Sequence, residues 1–72
     1  MCGFSDRIKE IRKSRKLTQV QVATGINISE QAYQKYEYGK REPGIAFAIA
    51  LADYFNVSLD YLVGRSDDPT RR

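Results

Sequence analysis

Apolar side chains recur at helical spacing in five short runs of this chain, and a capping or turn residue interrupts each of them. Phe4, Ile8 and Ile11 form one stripe at i, i+4, i+7, which predicts helix 1 up to about Ser14. Ser5 is its expected N-cap, and Asp6 suits the positive end of the helix dipole. Lys16 stands where glycine would end such a helix most comfortably. Thr18 followed by Gln21 reads as a capping box for helix 2, about Gln19 to Thr24, with Val22, Ala23 and Ile26 inward. Asn27 tolerates a left-handed backbone, Ile28 plugs the core, and Ser29 caps helix 3. That helix runs to about Tyr38 with Ala32, Tyr33 and Tyr36 inward, and Gly39 ends it. Residues 40–44 form a surface loop. Helix 4, about Ile45 to Phe55, carries a core stripe of Ile45, Ala48, Leu51, Ala52 and Phe55. Ser58 caps a last helix through Leu59, Tyr61 and Leu62, and Gly64 closes it. The expected fold is therefore all-α: a compact five-helix domain over residues 1–64, with a polar, frayed tail over 65–72.

Such a chain has little to spend on stability. At 72 residues it is a single domain that buries only about 60% of the surface its unfolded form exposes. An apolar content of 42% with 29% charged residues is that of an ordinary globule, and no apolar run approaches a membrane span. There is no histidine and only one cysteine, Cys2, so nucleophile–histidine pairs and His/Cys metal sites cannot be built. Neither enzymatic chemistry nor a cofactor is expected. A lone cysteine and no secretory signal pattern lead us to expect a cytoplasmic address.

The formal charge of +3 is unevenly placed. Residues 1–28 hold six cations, Arg7, Lys9, Arg12, Lys13, Arg15 and Lys16, against Asp6 and Glu10. Residues 45–64 hold only Asp53 and Asp60. One basic end suits a polyanionic partner, although a solvated helix surface would give the same pattern for helix 1 alone.

Helices 2 and 3, joined by a tight turn, form a helix-turn-helix candidate. The residues sharpen it: Leu17-Thr18-Gln19, Val22-Ala23, Ile26-Asn27-Ile28-Ser29 and Tyr36-Glu37-Tyr38-Gly39-Lys40-Arg41-Glu42-Pro43, then Leu51 to Gly64. In this order and spacing they resemble the Cro/lambda-repressor (XRE-type) helix-turn-helix family over about residues 4–64. The resemblance implies a lambda-repressor-like domain whose third helix enters the major groove of double-stranded DNA, usually as a homodimer on a palindromic operator. It also implies a bacterial or phage transcriptional regulator, in the first place a repressor; with 72 residues and no long apolar run, neither a small-molecule effector nor a membrane is expected as a partner. Lys16 and Asn27 depart from the family's frequent glycines, Tyr38 from a common asparagine, and Val20 from a usually polar position.

The outward strip of helix 3 supplies the expected base-reading set, Glu30, Gln31, Gln34 and Lys35. Gln pairs with adenine N6/N7 and Lys with guanine O6/N7. Glu30 either accepts from cytosine N4 or simply complements the helix dipole. Gln19 and Ser29 at helix starts, with Tyr38, Lys40 and Arg41, are the expected phosphate contacts, ordinary capping and loop charge being the alternatives. The resemblance implies an ion pair between Arg12 and Glu37. Ala46, Ala50 and Tyr54, flanked by Phe47 and Ile49, form a candidate dimer face, against the alternative of an alanine-rich solvent face. A second functional reading, an antitoxin-like or adaptor module, would use that same apolar face of helix 4.

Overall fold

Three of the helices open on a hydroxyl that replaces a missing backbone acceptor. In the computed structural model, which describes residues 3–66 and 68–70, the helices are α1 (Phe4–Ser14), α2 (Gln19–Gly25), α3 (Glu30–Glu37), α4 (Ile45–Phe55) and α5 (Leu59–Leu62). Thr18 and Gln21 form a complete capping box at α2, with bonds of 2.7 and 3.1 Å. Ser29 accepts from the Ala32 amide and Ser58 from the Tyr61 amide. Gly3 and Gly44 open α1 and α4 without a side-chain cap. Ser5 is thus not the cap of α1. The helix begins two residues earlier than that cap would give, at Phe4, because Gly3 already takes the extended geometry of a cap.

The helix ends share one device. A residue with positive φ follows each helix: Lys16 (57°), Asn27 (64°), Gly39 (74°), Asn56 (56°) and Gly64 (85°). The next amide then reaches back five residues, Leu17 to Arg12, Ile28 to Ala23, Lys40 to Lys35, Val57 to Ala52 and Arg65 to Asp60, at 2.8–3.1 Å. This is the Schellman stop, which satisfies orphan carbonyls and turns the chain sharply. In three of the five it also drives an apolar residue, Leu17, Ile28 or Val57, back toward the interior.

Around this frame α2 and α1 pack on α3, while α5 bridges α1 and α4. Ile8, Val22, Tyr33, Leu51, Phe55 and Leu62 are fully enclosed at the centre. Helix α4 is rotated from the expected stripe. Its inward positions are Phe47, Ala48, Leu51, Ala52 and Phe55, at i, i+1, i+4, i+5, i+8, and Ile45 is 68% exposed. Phe47 stacks on Tyr36 with centroids 3.7 Å apart and lies 6.1 Å from Phe4. Ala32, expected inside, is only half-buried. Arg7 is the other departure: 5% exposed, its guanidinium sits 4.1 Å over the Tyr61 ring and closes α1 on α5. The segment after Gly64 also returns, since the Ser58 amide donates to the Pro69 carbonyl at 3.1 Å. No helix among the described residues is long and apolar enough to cross a membrane.

Two outcomes follow from this framework. Lys16 holds a left-handed backbone at a cost that glycine avoids, so Lys16→Gly should raise the urea midpoint, by about 0.5–1 kcal/mol in stability. A Cβ on Gly25 would run into the Tyr54 ring, so Gly25→Ala should lose about 1–3 kcal/mol in the same measurement.

Candidate nucleic-acid interface

The centre of the candidate site is a buried ion pair behind α3. Glu37, the last residue of that helix, is 3% exposed, which an isolated carboxylate could not sustain. Arg12 on α1 meets it side-on, Nε donating to Oε2 at 2.9 Å and Nη2 to Oε1 at 2.8 Å. The third arm of the guanidinium, Nη1, donates to the Leu17 carbonyl at 2.8 Å, just past the Schellman stop of α1. Burial alone would raise the Glu37 carboxyl. Hydrogen bonds led by Arg12, together with the Arg12 charge, outweigh it and hold the group below its ordinary value of 4.5. The same bond to Glu37 raises Arg12 against its own desolvation. Beside the pair lies the buried Tyr33 hydroxyl. Burial first, and then its Glu37 neighbour, push its pKa up, so it remains a neutral phenol.

Glu37 also reaches the surface through α2. Gln19 Nε2 donates to Glu37 Oε1 at 3.2 Å and to the Tyr38 hydroxyl at 3.3 Å. Gln19 Oε1 accepts from Gln34 Nε2 at 3.0 Å, and that nitrogen lies 3.5 Å from Glu30 Oε2. The starts of α2 and α3 are thereby tied into one polar sheet facing outward. The amide donors of Gln19 are committed inside this network, which removes its side chain as a free phosphate donor. Tyr38, 56% exposed, accepts from Gln19.

The other expected contacts are placed as follows. Gln31 and Lys35 are exposed on the outer face of α3, flanking the half-buried Glu30 and Gln34. Ser29 is exposed while capping α3. Lys40 and Arg41 are exposed in the loop after it, and the Arg41 guanidinium lies 5.5 Å from the Tyr36 ring. Arg7 and Arg12 face inward and are lost to a basic surface, which leaves Lys13, Arg15 and Lys16 exposed at that end. On α4, Ala46 and Ile49 are exposed and Ala50 is half-buried. Phe47 belongs to the core, and Tyr54 lies over Gly25 with its edge toward Phe55. Both are half-buried. Among the described residues no group of His, Cys, Asp and Glu side chains could hold a metal ion.

Sequence reasoning assigned Gln19, Gln34 and Tyr38 separate tasks and missed their connection through Glu37. Positions 15 and 18 residues apart on different helices meet only once the crossing of α2 and α3 is known, and no local pattern encodes it.

The family model described as helix-turn-helix matches residues 8–62. The HTH-type transcriptional regulator YqaE of Bacillus subtilis is 42% identical over 66 residues, covering 90% of this chain and 57% of that protein. A second B. subtilis HTH-type regulator, YobD, is 36% identical over 66 residues, covering 92% of this chain and 59% of the relative. The chain thus spans little more than half the length of these relatives. The P22 c2 repressor, solved in complex with a synthetic operator, superposes with a TM-score of 0.82 at 26% identity, covering 92% of this chain and all of that one.

Because the folded Glu37 pKa lies below its unfolded one, its contribution to stability is complete above the unfolded value of 4.5. It is lost as pH falls below that value through the folded pKa. Urea midpoints of the wild type should therefore drop on acidification through this window. Glu37→Gln strands the Arg12 charge, so it should cost about 3–5 kcal/mol at neutral pH and flatten that acid dependence.

Proposed function

This chain belongs to the XRE-type helix-turn-helix family of transcriptional regulators, and from that premise we propose that it binds double-stranded DNA sequence-specifically, laying α3 in the major groove. The observation that carries this reading is the outer strip of α3. Gln31 and Lys35 stand exposed beside Glu30 and Gln34, while Tyr33, Tyr36 and Glu37 on the opposite face anchor the helix. Four side chains able to pair with base edges thus project from a helix whose angle is set by Arg12. Ser29, Tyr38, Lys40 and Arg41 surround that strip and supply phosphate contacts, which position the helix without reading sequence. Gln19 acts from behind, holding Gln34 and Tyr38 in place.

As a repressor the protein would act by occupying an operator, the role that the P22 c2 protein's name gives that protein. Ile45 and Ile49, exposed at 68% and 47%, lie with Ala46 on the outer side of α4. They favour a second copy as partner, which would give a two-fold dimer on a palindromic site. Weak DNA binding together with co-purification of another protein would instead support the adaptor reading of that face.

Selection from randomised duplexes followed by footprinting tests the proposal, and a palindromic enriched site is the expected result. Gln31→Ala should weaken the enriched site by about 1–3 kcal/mol and relax preference at one base pair. Equal weakening on all duplexes would remove Gln31 from the reading set. Affinity should fall with salt at a log–log slope of about −0.9 per phosphate contact.

A further inference from the structure

The direction of each hydrogen bond in the network is fixed from the inside. Glu37 is buried, ionised and bonded through both oxygens to Arg12, so it can only accept. The edge of Gln19 that lies 3.2 Å from Glu37 Oε1 must therefore be its NH2 group. The flipped amide would set a carbonyl oxygen against a carboxylate. With both N–H groups of Gln19 engaged by Glu37 and Tyr38, its oxygen faces Gln34, and Gln34 must answer with its own NH2. The remaining Gln34 proton is directed at Glu30 Oε2, 3.5 Å away. What the pair then offers outward is Gln34 Oε1, which has no internal donor among the described residues, and the Glu30 carboxylate. Both are acceptors.

We infer that Glu37, acting through Gln19, is a positioning residue for specificity: it locks Gln34 with its carbonyl oxygen available, so that Gln34 and Glu30 together select base edges bearing exocyclic amino groups. In the major groove those donors are adenine N6 and cytosine N4, whereas guanine and thymine present acceptors at the corresponding positions. A guanine or thymine edge facing this pair would place lone pair against lone pair, and at Glu30 against a full charge. Rejection of the wrong base is thus as much a part of the device as attraction of the right one. The inference rests on the placement of α3 in the groove proposed above. It adds the chemical class of base read at two positions and names a residue that reads nothing itself.

The test uses the full chain and the duplex enriched by selection. Each adenine in the site is replaced in turn by purine, which lacks the N6 amino group, and each cytosine by pyrimidin-2-one, which lacks the N4 amino group. At one or two positions per half-site the analogue should bind about tenfold more weakly. Sensitivity to purine identifies adenine as the base read, and sensitivity to pyrimidin-2-one identifies cytosine. Glu37→Gln offers Gln19 an amide that can present either edge. It should let guanine or thymine in at the Gln34 position, a change of preference over and above the uniform weakening that a loosened α3 imposes on every position. A role confined to holding the fold would weaken all positions together. Glu30→Gln, a change at the surface of α3, keeps the inference falsifiable should Glu37→Gln fail to fold. It should admit guanine at its own position and cut the loss caused by the analogue there to less than about threefold. Analogues that bind like the parent duplex at every position would overturn the inference and leave DNA recognition by α3 standing. Failure to enrich any site would overturn both.

Discussion

One guanidinium holds the architecture of this domain together. Arg12 reaches from α1 to the carboxylate that ends α3 and to the carbonyl of Leu17, where the chain turns into α2. Three helices are referenced to one planar group, whose fork geometry tolerates little rotation. Apolar packing of Tyr33 and Tyr36 holds α3 on the core but is not directional. A bidentate bond with almost no access to water adds the directionality that apolar contacts lack. Since α3 presents the polar strip, its angle to a ligand is the angle at which Arg12 clasps Glu37.

The second constraint is economy in the connections. Helices of four to eleven residues are marginal by themselves, so their ends must be closed with few residues. The recurring stop after each helix does this and folds three of the following residues into the interior. Two of the left-handed positions are asparagine and two are glycine, which adopt that geometry at low cost. Lys16 does so at greater cost and is the exception.

The backbone plan was legible because caps, apolar periods and stops agree with one another along the chain. Thr18 with Gln21, Ser29 and Ser58 announced their helices, and Gly39 and Gly64 their ends. Reading failed where the signal was tertiary. In α4 nearly every residue is apolar, so the periodicity does not distinguish its inward side: Ile45, on the expected stripe, is exposed, and Phe47, on the expected outer flank, packs against the core. Arg7 looked like surface charge because only the packed structure puts the Tyr61 ring under it. For the candidate site, the outward strip of α3 could be drawn from sequence, but its internal wiring could not. Gln19, an expected phosphate contact, and Gln34, an expected base reader, carry no local signal of the bond that the crossing of α2 and α3 makes between them.

The turn between α2 and α3 sets a rotational phase. It consists of Ile26, Asn27, Ile28 and Ser29, with the reversal at Asn27 and the cap at Ser29 already in place. One residue more or fewer would swing everything after it by about 100° about the helix axis and take Tyr33 out of its enclosed position. The loop after Gly39, with its exposed Lys40, Arg41 and Glu42, has no such phase to keep. Insertions and deletions are therefore tolerable on one side of α3 and ruinous on the other, so length variation in chains of this kind should accumulate only downstream of α3.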